Sequence, residues 1–338
     1  MWSDKGSDET RNNWIDKENV SDRMSGMRLD NIKNTLYVGD AAEKMRFLPN
    51  NSVDCCITDP PYNYEFIGKN WDEVEIERRR KRITSSSTLV KHIPYGSALA
   101  GGKRDARWYE RNAENILTYR DWIQDWAKEL FRILKPGAYV FVFNSSRTIA
   151  HVQVALESVG FYARDVIVWR RNSGIPKGLN ISKKMEKMGD SDSNFWKGWH
   201  SCLRNEWEGI SLVQKPLVDN YLTTLKEFSV GLLNTRVNPD SFQSNIIENI
   251  SRDKPQEYNN HPTVKPLSLI RTLLQFVAIP NSNFTVIDPF IGSGTTAVAA
   301  ILEGVNYIGI DKSDVYIEIA KRRIGEINES LCQMRLDI

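Results

Sequence analysis

Six short apolar runs mark this chain: TLYVG at 35–39, VDCCIT at 53–58, AYVFVF at 138–143, DVIVW at 165–169, FTVID at 284–288 and NYIGI at 306–310. They read as strands buried in a parallel sheet. Helical patterns separate most of them. YRDWIQDWAKELFRIL (119–134) carries an apolar face at helical spacing and stops at Lys135-Pro136-Gly137. HVQVALESVG (151–160) closes on a glycine, and LSLIRTLLQFVA (267–278) and TTAVAAILEG (295–304) are two further helices. Alternating strands and helices predict an α/β fold with a doubly wound, mostly parallel sheet. Residues 1–33 read as a loosely ordered lead-in. Residues 63–118 interrupt the sheet as a long insertion without clear elements, and residues from about 188 to 260 match no regular pattern.

Four of the runs end in aspartate: Asp40, Asp59, Asp288 and Asp311. In open α/β sheets ligands bind beyond the carboxyl ends of the strands. Four carboxylates would then line one sheet edge. The competing reading is that aspartate after a strand is an ordinary turn or helix-capping residue.

Two of the four stand in unusual surroundings. In ITDPPYN (57–63) two prolines fix two φ angles and hold the residues before them extended. The turn is therefore stiff, either as simple punctuation or as a lip that sets a carboxylate, a carbonyl and a tyrosine ring at fixed spacing. In DPFIGSGTTAVAA (288–300) a strand runs through Gly292 and Gly294 into a helix of small residues. Glycines there permit a tight turn and close ligand approach, and a helix start suits an anionic group. Neither GxxxxGK[ST] nor GxGxxG is present, so a phosphate-gripping loop and a dinucleotide site are disfavoured. Asp311 ends the next strand about 20 residues on, where an acid can hold ribose hydroxyls. A nucleoside with a carboxylate-bearing tail, S-adenosylmethionine, fits that combination.

Composition adds limits. The 338 residues carry a formal net charge of +2, too small to imply a nucleic acid partner except through local patches. ERRRKR (77–82) and RRNSGIPKGLNISKKMEK (170–187) are such patches. Four cysteines without zinc spacing point to a reducing, cytoplasmic setting and no metal site. The polar start lacks a signal core, and no apolar run reaches the roughly 18 residues that span a membrane.

DPPY, HPTVKPLSLI (261–270) and DPFIGSGTT, in that order, resemble the β class of DNA amino-methyltransferases, which act on adenine N6 or cytosine N4. The resemblance covers roughly residues 34–62, 119–170 and 261–325. It implies a Rossmann-like methyltransferase sheet in circularly permuted order. The catalytic half would be 34–170, with 63–118 an insertion. A DNA target-recognition region would follow at 171–260, and a cofactor half at 261–338. Asp59 and the Pro60 carbonyl would accept hydrogen bonds from the target amine, with Pro61 keeping register and Tyr62 stacking on a base flipped from the duplex. The S-adenosylmethionine pocket would draw on Asp40, Thr263, Lys265, Asp288, Phe290, Gly292, Ser293, Gly294, Thr295 and Asp311. Lys265 has two further readings, as a DNA contact or as the partner of an acid. Phosphates would meet Arg78, Arg79, Arg80, Lys81, Arg82, Arg170, Arg171, Lys177, Lys183 and Lys184. An aspartate opening the tetrapeptide goes, in this class, with adenine N6, giving N6-methyladenine in double-stranded DNA. Cytosine N4 is the alternative, followed by a protein glutamine methyltransferase and a non-catalytic DNA-binding relative. A homodimer and a cognate restriction endonuclease are further partners the resemblance leaves open, as are prokaryotic and phage origins.

Overall fold

The computed structural model describes residues 32–62, 106–171, 178–236, 242–251, 253–254, 256–259, 261, 264–279 and 283–336. Eight strands form one sheet: β1 (Thr35–Val38), β2 (Val53–Thr58), β3 (Leu134–Asn144), β4 (Tyr162–Arg170), β5 (Trp207–Gln214), β6 (Ile246–Ile247), β7 (Thr285–Asp288) and β8 (Asn306–Asp311), in the spatial order β1-β8-β7-β2-β3-β5-β4-β6. The helices are α1 (Ala41–Met45), α2 (Ala106–Ile133), α3 (Ile149–Val159), α4 (Ile181–Lys187), α5 (Tyr221–Phe228), α6 (Leu267–Val277), α7 (Thr295–Leu302) and α8 (Asp314–Leu336). Side chains of α2 are described from residue 113 and those of α8 up to residue 333.

All six apolar runs become strands, and the reason is visible in β2. Every one of its residues is buried. Cys55 and Ile57 point to a core shared with Leu269, Leu273 and Ala297, while Val53 and Cys56 point to one shared with Met45, Ile123 and Trp126. Phe141 and Phe143 of β3 join the first core, Val140 and Val142 the second. Beyond an irregularity between Val53 and Cys55, side chains alternate between the two cores, and strands apolar on both sides need helices on both faces. Here α6 and α7 cover one face, and α1, α2 and α3 the other. The doubly wound expectation therefore holds.

Three local expectations are corrected. First, β5 lies inside the stretch read as irregular, and it pairs antiparallel with both β3 and β4. The sheet is mixed and mostly parallel, as expected, and residues 207–214 of the stretch without regular pattern belong to it. Ile210, Leu212 and Val213 give β5 an apolar character that the neighbouring tryptophans and polar residues mask. Second, the interruption assigned to 63–118 ends earlier, because α2 already starts at Ala106; its polar first turns hide the helical period. Third, α8 has no counterpart among the expected elements, since its charged outer face dilutes the apolar stripe that buries Ile317 and Ala320. The basic run Arg78, Arg79, Arg80, Lys81 and Arg82, together with Lys177 and Thr263, lies outside the described residues. Among the described residues no helix is long and apolar enough to cross a membrane.

Central placement of β5 carries a measurable consequence. Ile210 is fully buried, so Ile210→Ala should cost about 2–4 kcal/mol, as other large-to-small core changes do. Urea unfolding midpoints measure it; a loss below about 0.5 kcal/mol, typical of surface positions, would contradict the placement.

Candidate active site

Strands β1, β8, β7 and β2 are adjacent and parallel, so Asp40, Asp311, Asp288 and Asp59 follow one another along one edge of the sheet. Their surroundings give them different work. Asp40 caps α1, its Oδ1 accepting from the amides of Ala42 (3.0 Å) and Glu43 (3.3 Å), the capping role that competed with a ligand role. Asp311 accepts from the amides of Gly292 (2.9 Å) and Ser313 (2.8 Å), which leaves each oxygen with a lone pair. Burial raises its carboxyl above the usual range, with the amides pulling the other way.

Asp288 is buried and accepts three hydrogen bonds: from Thr58 Oγ1 (2.8 Å), Thr296 Oγ1 (2.7 Å) and the Phe290 amide (3.1 Å). It thereby ties the end of β2 to β7 and to the first turn of α7. Burial pushes its carboxyl up to about 7, against the pull of those donors.

Between Asp288 and α7 the chain turns through Gly292 (φ 49°) and Gly294 (φ 85°), backbone that a side chain would strain. There is also no room. A Cβ on Gly294 would lie 2.9 Å from the Ala320 Cα of α8, and one on Gly292 would lie 2.7 Å from His261 Nε2. From α8, the buried Arg323 donates to the Ser293 carbonyl (2.8 Å) and to the hydroxyls of Ser293 (3.1 Å) and Thr295 (2.9 Å). The glycine turn is thus clamped from outside by α8 and His261.

The Asp59-Pro60-Pro61-Tyr62 turn is clamped too. Tyr119 of α2 donates to the Pro61 carbonyl (3.0 Å) and accepts from Asn144 Nδ2 (2.9 Å), whose Oδ1 is bonded by Thr148. Burial raises the Tyr119 phenol well above its ordinary value, so it stays a donor. Tyr62 lies half-buried, with its hydroxyl donating to Glu208 Oε2 (3.3 Å). Lys265, only 9% exposed, sits over the rings of Tyr62 (5.2 Å) and Phe143 (5.1 Å). Its ammonium pairs with Asp59 Oδ2, and Glu208 Oε2 lies 3.6 Å away. Of the three readings of Lys265, the structure has the acid partner. The other oxygen, Asp59 Oδ1, is buried and has no hydrogen-bond donor among the described residues. A buried carboxylate oxygen left unbonded is costly. It marks where a donor from outside the chain would be accepted.

One groove joins these parts, lined among others by Asp59, Lys265, His261, Phe290, Gly292 and Ser293. At its side Phe290 packs on Trp122 and Trp126 (5.5 Å each). Cys55 and Cys56 are fully buried, and burial pushes both thiols well up, so neither supplies a nucleophile. No group of three or more His, Cys, Asp or Glu among the described residues could hold a metal ion. Of the basic residues expected outside the groove, Lys183 and Lys184 are exposed on α4 and Arg170 is exposed but paired with Glu248 (2.8 Å). Arg171 turns inward to Glu208 Oε1 (2.7 Å).

Sequence reasoning missed Tyr119, Asn144, Glu208 and Arg323, and it gave His261 no role. For Glu208 a signal existed. The strand that carries it shows as the short run Ile210–Val213, stopped by Lys215-Pro216. The others are visible only once helices pack.

A DNA methylase family model matches residues 53–322. The Type II methyltransferase M.HindIII of Haemophilus influenzae is 30% identical over 309 residues, covering 86% of this chain and 94% of that protein. The DNA adenine methyltransferase YhdJ of Escherichia coli is 26% identical over 88% of this chain and 84% of its own length. Among solved structures, TTHA0409 of Thermus thermophilus complexed with S-adenosyl-L-methionine superposes with a TM-score of 0.53 at 20% identity, over 87% of this chain and 94% of the other. The PvuII DNA methyltransferase, cytosine-N4-specific, gives 0.55 at 16% identity, over 88% and 90%. At such identities the structural likeness is one of fold.

The clamp on the glycine turn has a pH signature. Burial first, then the charges of Lys265 and Arg323, lowers the His261 imidazole from 6.5 to about 4. Between these values the unfolded chain binds a proton that the folded chain refuses, so stability is lost as pH falls from about 6.5 toward 4. Asp288 has the opposite sign, because a folded carboxyl near 7 keeps a proton that the unfolded chain releases from about 3.8 upward, so its contribution is lost as pH rises. His261→Asn should therefore lose about 1–2 kcal/mol less than wild type between pH 7 and pH 5, allowing for the residual exposure of the ring. Equal losses in urea unfolding at the two pH values would contradict this.

Proposed function

We propose, for a chain that belongs to the DNA methylase family, transfer of a methyl group from S-adenosylmethionine to the exocyclic N6 amine of an adenine flipped out of duplex DNA. The observation that carries the reading is the unbonded, buried Asp59 Oδ1, held on a stiff turn beside a groove that leads to the glycine turn. An exocyclic amine is a weak nucleophile because its lone pair is delocalised into the ring. Asp59 Oδ1 and the Pro60 carbonyl would each accept one of its N–H bonds and favour a localised lone pair aimed along the groove. Tyr62 would stack on the base. The prolines and the Tyr119 bond to the Pro61 carbonyl keep acceptors and ring in register.

The donor set fits the cofactor. Asp311 retains lone pairs for the ribose hydroxyls, Phe290 offers a ring beside the adenine, and the tight turn of Gly292, Ser293 and Gly294, packed from behind by His261 and Ala320, would border the cofactor. Asp40, Thr263, Asp288 and Thr295 belong to the expected surroundings of this pocket, with Asp288 and Thr295 acting through the turn they brace. S-adenosylmethionine would supply an electrophilic sulfonium methyl; the residues named position, accept and exclude water. Attack by the amine needs no covalent enzyme intermediate, in keeping with the buried thiols.

On the DNA side, Lys183, Lys184 and Arg170 offer positive charge at the same sheet edge, because the chain between β4 and β5 leaves and re-enters the sheet where β2 ends. This segment opens the proposed target-recognition region, residues 171–260. Adenine is favoured over cytosine by the aspartate that opens the tetrapeptide and by the relative YhdJ, whose name specifies adenine.

Three expected outcomes test the reading. Asp59→Ala should lower methyl transfer at least 100-fold, the scale of losing a hydrogen-bonding group at the reacting atom. Calorimetric affinity for S-adenosylmethionine should stay nearly unchanged, and near-normal turnover would sink the mechanism. Asp311→Ala should weaken cofactor binding about tenfold or more through the lost charged hydrogen bonds. Unchanged affinity would remove Asp311 from the ribose. Digesting methylated DNA to nucleosides and weighing them decides the base, since N4-methylcytosine without N6-methyladenine would refute adenine while leaving the fold intact.

A further inference from the structure

Glu208 is the one charged residue of β5, and its side chain is 14% exposed. Both oxygens are engaged. Oε1 accepts from Arg171 (2.7 Å), while Oε2 accepts from the Tyr62 hydroxyl (3.3 Å) and faces the Lys265 ammonium at 3.6 Å. Through Lys265 the chain of charges continues to Asp59 Oδ2. The array is Arg171, Glu208, Lys265, Asp59: two cations and two anions, alternating, in a region with little solvent to screen them.

Alternation matters because Lys265 is shared. With carboxylates on two sides, its ammonium rests on one oxygen of Asp59, and the other, Oδ1, is left unbonded. Were the Glu208 charge absent, Asp59 would be the one anion left to Lys265 within this array. The ammonium, with three donors, would then settle between both Asp59 oxygens and compete with any incoming amine. We infer that Glu208 is a positioning residue for methyl transfer: by holding Lys265 and the Tyr62 phenol, it keeps Asp59 Oδ1 open to the target amine. This rests on the reading of Asp59 as acceptor of that amine. Its sheet position also roots the chain that leaves β4 at Arg171 directly beside the reacting atoms, so phosphate contacts there would be felt at Asp59 through four side chains.

Glutamine at 208 is the informative change: it removes the charge, and its one carbonyl oxygen can still accept from the Tyr62 hydroxyl, while its NH2 replaces the acceptor that faces Arg171. The test uses the full chain, tritiated S-adenosylmethionine and genomic DNA from a host without DNA methylation. Glu208→Gln should lower kcat about tenfold or more, with KM and calorimetric affinity for S-adenosylmethionine within about twofold of wild type. The double variant Glu208→Gln with Lys265→Met should be no slower than Lys265→Met alone, because the effect passes through Lys265. A Glu208→Gln chain with wild-type kcat overturns the inference, as do fully additive losses. So does a fall in kcat matched by equal falls in cofactor affinity and melting temperature, which marks a purely structural strand residue. A wild-type chain that labels no DNA overturns the functional reading itself and this inference with it.

Discussion

Burying a carboxylate at the end of a parallel strand is the constraint around which this molecule is arranged. Asp288 cannot reach water, so three donors must come to it: a threonine from β2, a threonine from α7 and a backbone amide of the turn between. Meeting that demand fixes β2 against β7 and sets where α7 begins. The two turns that matter for chemistry, Asp59–Tyr62 and Phe290–Gly294, are then held at fixed separation. Everything else at the edge is secondary bracing: α8 with Arg323 and Ala320 behind the glycines, α2 with Tyr119 behind the prolines.

The same edge shows how one residue type does unlike work. Four aspartates occupy equivalent topological positions, yet Asp40 caps a helix, Asp288 knits the sheet to a turn, Asp311 holds two backbone amides with lone pairs to spare, and Asp59 keeps one oxygen unbonded. The difference comes from the number of donors that the local chain brings to each. Spare acceptor capacity, rather than the presence of an acid, separates Asp59 and Asp311 from Asp288, whose two oxygens already hold three donors.

Much of this was legible in the sequence, and the boundary is physical. Strands apolar on both faces, such as β2 and β3, announce themselves, because both faces must be covered. Turns announce themselves where proline or glycine is needed, as at Pro60-Pro61 and at Gly292 and Gly294. What stayed hidden depends on packing between distant segments. The polar start of α2 conceals its extra turns, and the tryptophans before β5 conceal a central strand. With β5 goes Glu208, whose meaning comes from Lys265, which follows it by 57 positions. Arg323 reads as one more surface charge of α8 until the helix is laid on the glycine turn. Thr263, Lys177 and Arg78–Arg82 gain nothing from the structure, since they lie outside the described residues.

The central claim is that Asp59 uses one oxygen to hold Lys265 and the other to receive the target amine. A crystal structure of the chain with duplex DNA carrying its target base and a non-reactive S-adenosylmethionine analogue tests this most directly. The account predicts the exocyclic nitrogen within hydrogen-bond distance of Asp59 Oδ1, Lys265 still on Oδ2, and the base against the Tyr62 ring. A base lodged elsewhere, or Lys265 spanning both oxygens while the amine is bound, would contradict it.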